Sequence, residues 1–383
     1  MWLDVREDAH RPELVALGSE NPGAPLYPWA EQARAAARAG RHFSERTGSS
    51  GRPPGNADLR RLISVHYLQS GTEVSPEEIL ITSGALESLS LALSAVTRRG
   101  DCVIIEAPSC PEILQALRTT ERRSVAVPVL EDGEVDLEAI EDALARKRIH
   151  ACLMMTSCRN PVGTTMSEVE KKRLVELLAR HGVPLVEEDS DGELWFSRRP
   201  PRPAKAFDAL GQVLHAGTFA KTLSSACGVA WIAAGRHRTK VQRLKVSGGE
   251  LTGALDQAAV VEYLNGGGYG PHLRRLRRDL SGQSALMVEA LRQALPPEAR
   301  IFPPAGGCGV WVRLPEAIDG IELRRRARNL GVGLAPGAMF SRPPGCRNFI
   351  RVGFGERWSE RQDRAVKVLG NLVTDYARPS VPQ

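Results

Sequence analysis

Residues 79–89 read Ile-Leu-Ile-Thr-Ser-Gly-Ala-Leu-Glu-Ser-Leu, and this junction decides the fold. A short apolar run (ILIT) passes through Ser83-Gly84 straight into the helix-forming Ala85-Leu86-Glu87. A strand entering a helix this tightly leaves backbone N–H groups free at the helix start, where they can hold an anion. The same texture recurs downstream at 102–106 (CVIIE), 124–129 (SVAVPV), 151–156 (ACLMMT), 183–186 (VPLV), 213–216 (VLHA) and 229–233 (VAWIA). These runs are apolar almost throughout rather than alternating, as strands buried on both faces are. Helical segments separate most of them. The clearest begins at Ser167 with a capping partner at Glu170, carries a stripe of Leu174, Leu177 and Leu178, and stops at Gly182. Strands alternating with helices predict an α/β domain with a mostly parallel sheet.

Beyond about residue 243 the pattern changes. Residues 251–263 and 271–295 read as long helices, and the segment from 300 as a smaller α+β unit. That unit holds strands at 309–314 (GVWVRL) and 349–354 (FIRVGF), a helix at 321–330 and a last helix from Ser359. The expected organisation is an N-terminal arm with part of a small domain (1–60), a large α/β domain (61–290) and a small C-terminal α+β domain (291–383). A length of 383 residues suits such a division.

Composition narrows the class. Apolar residues make up 42% and charged residues 25%, which is ordinary for a soluble globular chain. The 51 basic and 45 acidic residues leave a net charge of +6, too dilute to argue for nucleic acid. The arginine-rich run 272–280 (HLRRLRRDL) reads as a solvated helix face around Leu273, Leu276 and Leu280, without interleaved aromatics for base stacking. Seven cysteines show neither C-x-x-C spacing nor a zinc pattern, and read as reduced thiols. The opening MWLDVREDAH lacks signal-peptide character, and the apolar stretches are too short to span a bilayer. A cytoplasmic protein with a small-molecule substrate and no nucleic-acid or membrane partner is expected.

Dinucleotide, P-loop and zinc-protease motifs are absent from the sequence. Three other junctions carry the chemistry. Arg159-Asn160-Pro161-Val162-Gly163 follows a strand, the strand at 183–186 runs into Glu187-Glu188-Asp189, and Gly217-Thr218-Phe219-Ala220-Lys221-Thr222-Leu223 sets a lysine just past a strand end. In open α/β sheets ligands bind at this carboxyl edge.

Taken in order, SGALESL, RNPVG, EEDSDGEL, GTFAKTL, PPAGGCGVW, PGAMF and NFIRVGF resemble the markers of fold-type I pyridoxal-phosphate (PLP) enzymes. The likeness is to class I/II aminotransferases, in particular the aminotransferase-like domain of MocR-type regulators, and it covers the chain from about residue 48. It implies a seven-stranded, mostly parallel sheet with a smaller α+β domain, and a homodimer. It also implies that Lys221 holds PLP as a Schiff base and moves the proton. Asn160 would meet the ring hydroxyl, while Ser83, Gly84, Ala85 and Thr218 would meet the phosphate. Arg351 would bind a substrate α-carboxylate, for which its planar fork is suited.

The sequence departs from the family pattern around the cofactor. Glu188 stands where an aspartate normally faces the pyridine nitrogen; Asp189 would point to the other face of the strand. Ser190 or Asp191 replaces a tyrosine, Gly228 the phosphate-binding arginine and Ala220 a serine. The ring-stacking aromatic is missing around Pro111, and a tyrosine lent by the partner subunit falls near Ser50. A charged phosphate contact contributes about 1.5–3 kcal/mol, so three losses would weaken PLP by orders of magnitude. Three readings follow. The first is a PLP enzyme acting on an amino acid by transamination, or by elimination, cyclisation, decarboxylation or oxidation in specialised metabolism. The second is the same scaffold working without PLP. The third is a ligand-sensing regulator, disfavoured because the residues before the likeness hold no helix-turn-helix pattern.

Overall fold

A computed structural model describes residues 1–43, 52–130, 133–224, 226–249, 251–341 and 345–377. The large sheet is built from β2 (Ile79–Thr82), β3 (Cys102–Ala107), β4 (Arg123–Pro128), β5 (Ala151–Met155), β6 (Leu185–Glu188), β7 (Val213–Thr218) and β8 (Ala230–Ala233). Their order is β2-β8-β7-β6-β5-β3-β4, with β8 antiparallel to both neighbours and the other pairs parallel. This is the mostly parallel α/β sheet that the apolar runs predict.

Both faces are covered, which is why the strands are apolar throughout. On one face Leu80, Val103, Leu153, Val186 and Leu214 pack with α4 (Ala85–Val96) and α5 (Pro111–Thr119). On the other, Ile104, Cys152, Met154, Leu185 and Val213 pack with α6 (Leu137–Arg146) and α7 (Glu168–Arg180). Helix α7 starts with the expected capping box between Ser167 and Glu170. Strand β6 begins two residues later than its sequence suggests, because Val183 N–H is still bonded to the Leu178 carbonyl of the preceding helix end.

A second, antiparallel sheet has the order β12-β13-β10-β9, formed by Ala335–Pro336, Phe349–Gly353, Gly309–Arg313 and Arg300–Phe302. The N-terminal segment joins this part of the molecule: β1 (Val15–Ala16) pairs in parallel with β11 (Val332–Gly333). The chain then runs along β13, where Gly353 N–H bonds Leu17 O at 2.6 Å and Gly23 N–H bonds Gly355 O at 2.9 Å. A Cβ on Gly353 would collide with the Ser19 carbonyl, so this close approach requires glycine. It fixes residues 17–23 above the edge where the site lies.

The arginine run falls on the helix Tyr269–Ala294, with Leu273, Leu276 and Leu280 buried as expected. Arg277 is not solvated. Its guanidinium lies over the Trp195 ring at 3.1 Å and bonds Glu193 at 2.5 Å, so one member of the run is an internal tie.

Candidate active site

The carboxyl ends of β2, β3, β5, β6 and β7 converge on one cavity of about 270 Å³. β2 delivers Ser83, Gly84 and Ala85 at the start of α4; Gly84 provides no side-chain cap, so the helix N–H groups are left for a ligand. The loop after β5 delivers Asn160, β6 ends in Glu188, and the turn after β7 carries Thr218 and Lys221. Ser83, Gly84, Ala85, Asn160, Glu188, Thr218 and Lys221 all line this cavity, and Arg351 does not. Arg351, on β13, reaches its rim from the second sheet and shares Glu20 and Asn160 with it.

Strand alternation sorts the acidic run at the end of β6. Glu188 has the parity of Val186 and turns toward the α4 and α5 face, where the cavity lies. Glu187 and Asp189 turn the other way. Glu187 accepts hydrogen bonds from Thr156 and the Ala204 and Lys205 amides. Asp189 accepts from His215 Nε2 at 3.0 Å, and His215 Nδ1 lies 2.7 Å from the Tyr67 hydroxyl. Asp189 is therefore structural. Glu188 Oε1 is bonded by the Ser190 amide and hydroxyl, whereas Oε2 is buried with no hydrogen-bond partner. Burial pushes this carboxyl well above its usual range.

Lys221 is 9% exposed, and its Nζ donates to the Glu20 carbonyl at 2.8 Å with Asp191 Oδ1 at 3.9 Å. Burial favours the neutral amine, but the carboxylates of Asp191, Glu20 and Glu112 outweigh it and raise the lysine pKa. In this state Lys221 is an ammonium ion. It becomes a base only when those charges are neutralised or moved.

Three acidic groups escaped the sequence reading as partners of the lysine: Glu20, Glu112 and Asp191. Glu20 Oε2 accepts from Arg351 at 3.1 Å and from Asn160 at 3.2 Å. Burial disfavours its charge, yet Lys221 and Arg351 prevail and hold its pKa down to about 2. Glu112, in the segment where a stacking aromatic is expected, is pushed up to about 8 by burial and by the charge on Glu20. Asp191 is also raised by burial, and its Oδ1 has no hydrogen-bond partner.

These shifts predict a pH dependence. A carboxyl with its pKa raised on folding holds its proton longer in the folded state, so stability falls as pH rises between the unfolded and folded values. For Glu112 that window runs from about 4.5 to about 8. Buried Glu106, pushed up to about 7 by burial, acts in the same direction. The unfolding free energy is expected to fall between about pH 5 and 8, and Glu112→Gln to remove up to about 1.4 kcal/mol per pH unit of that slope. Urea titrations of both proteins across this range are the check.

The cavity wall carries few basic groups. Among the described lining residues, Arg6 and Lys221 are the only basic side chains. A Cβ placed on Gly228 would find only the Ser83 carbonyl, at 3.8 Å, so the position of the missing arginine is open space. Ala220 N–H bonds Thr218 Oγ1, and Pro111 opens α5. Ser50 lies outside the described residues.

The fold is that of a known class: residues 13–369 match the family "Aminotransferase class I and II", and the chain belongs to it. The expected fold-type I architecture holds over the same length. Among curated relatives, the chain is 38% identical over 373 residues to YdcR, an uncharacterised HTH-type transcriptional regulator of Escherichia coli, covering 97% of this chain and 80% of YdcR. It is 32% identical to 2-aminoadipate transaminase of Thermus thermophilus, covering 95% and 91% of the two chains. Among solved structures it superposes on LysN, the α-aminoadipate aminotransferase of Thermus thermophilus complexed with N-(5'-phosphopyridoxyl)-L-leucine. That match has a TM-score of 0.88 at 30% identity, covering 97% and 94%. Among the described residues no helix is long and apolar enough to cross a membrane.

Proposed function

We propose that the chain is a PLP-dependent, aminotransferase-like enzyme that moves an amino group between an amino compound and an oxo acceptor. The observation that carries this reading is the pairing, in one cavity, of buried Lys221 with a Glu188 oxygen that has no partner. The residues fit the cofactor. Ser83, Thr218 and the N–H groups at the start of α4 would hold its phosphate, Asn160 its ring hydroxyl and Glu188 its ring nitrogen. When bound, PLP supplies an electron sink for charge developing on the substrate carbon. Lys221 then takes and returns the proton at that carbon. A homodimer, and a small domain formed by the N-terminal arm with residues 291–383, complete the reading.

The test is reduction of the PLP-loaded protein with borohydride, followed by peptide mass analysis. The expected result is a phosphopyridoxyl mass on the Lys221 peptide. A fully reduced sample with unmodified Lys221 would refute the assignment.

The phosphate end lacks an arginine, and the space at Gly228 is free. Gly228→Arg is therefore expected to tighten PLP binding by roughly 10–100-fold, the worth of one charge-assisted hydrogen bond. Fluorescence titration of the two proteins measures it.

A further inference from the structure

The second charged anchor of the site, Arg351, is already engaged at both terminal nitrogens, while its buried Nε has no hydrogen-bond partner. It is 2% exposed, and Nη1 contacts Glu20 Oε2 at 3.1 Å and Asn160 Oδ1 at 2.8 Å, while Nη2 bonds the Gly18 carbonyl at 2.8 Å. Glu20 is not a mobile surface side chain. Its segment is tied to Gly353 and Gly355, and its carboxylate also accepts from Asn160. A substrate carboxylate would have to expel a partly buried carboxylate, 11% exposed, from its cation and strand that charge nearby, an unfavourable exchange. The walls beside Lys221 instead offer acidic groups. Asp191 is 5% exposed with an oxygen that has no hydrogen-bond partner, and Glu112 lines the same cavity.

We propose that the substrate is a cationic amine, bearing a second positive group and no carboxylate on the reacting carbon. Glu20 serves as the permanent counter-ion of Arg351, and Glu112 and Asp191 receive the substrate's distal charge. This rests on the amino-transfer reading and names its substrate class. A distal ammonium beside Glu112 also favours that carboxyl's ionised form, so binding at neutral pH releases a proton.

Calorimetry on the full chain, with and without added PLP, tests it with 1,4-diaminobutane and succinate as probes. The wild type is expected to bind the diamine at least tenfold more tightly than succinate. Its apparent enthalpy should change with the ionisation enthalpy of the buffer. Glu112→Gln is expected to weaken diamine binding at least tenfold and to abolish the buffer dependence. Glu20→Ala, which frees Arg351, is expected to gain succinate binding by at least tenfold. Tighter binding of succinate than diamine by the wild type would overturn the proposal, as would an unchanged diamine affinity in Glu112→Gln. Both of these outcomes can be read even if Glu20→Ala does not fold. Failure of the borohydride test in the same preparations would strike the PLP reading alone, because the probes report on the cleft without it.

Discussion

Lys221→Ala is expected to lower amino transfer by about 10⁴-fold, since the only other basic side chain among the described lining residues, Arg6, stays protonated and cannot take up the proton. The substitution has a second consequence, in stability. It removes the cation that Asp191, Glu20 and Glu112 share, leaving buried Asp191 without its ion-pair partner while Glu20 keeps Arg351. Breaking a buried ion pair from one side costs about 3–5 kcal/mol. The carboxylates then rise in pKa and bind protons more readily in the folded state. The loss of stability should accordingly be largest near pH 8 and smaller near pH 5. Steady-state rates and urea unfolding at the two pH values separate the catalytic effect from the structural one.

Glu188→Gln carries the next largest effect. The amide keeps the volume and the bond from Ser190, but cannot hold a negative charge against a protonated ring nitrogen. Removing one such electrostatic contact at a developing charge lowers kcat by about 10²–10³-fold. PLP should still bind, because its lysine and phosphate contacts remain. Glu188→Asp, which retains the carboxyl, is expected to stay within about tenfold of the wild type. A kcat loss in Glu188→Gln with the PLP affinity preserved is the signature of this role.

Much of the fold was legible because both sheet faces are covered, which writes each strand as a short apolar run between helices. Lys221, Asn160 and Glu188 were legible for a related reason: each follows a strand, and a parallel sheet gathers its carboxyl ends at one edge. The assignment of Glu188 over Asp189 needed only the two-residue alternation of a strand. What the sequence concealed is long-range. Glu20 meets Arg351 across 331 positions, brought there by a two-residue strand and a glycine approach with no periodic signal. Arg277 hid within a run of arginines, and only the fold shows that Trp195 and Glu193 pack against it. The raised pKa of Lys221 was hidden for the same reason, because its carboxylate neighbours arrive from three separate parts of the chain.

The most direct measurement is the visible absorption spectrum of the purified chain titrated with PLP, beside Lys221→Ala. A saturable new band in the wild type that is missing from the variant is the predicted result. A folded wild type that shows no such band at millimolar PLP would contradict the account, and would move the chemistry of this cleft to a reaction without the cofactor.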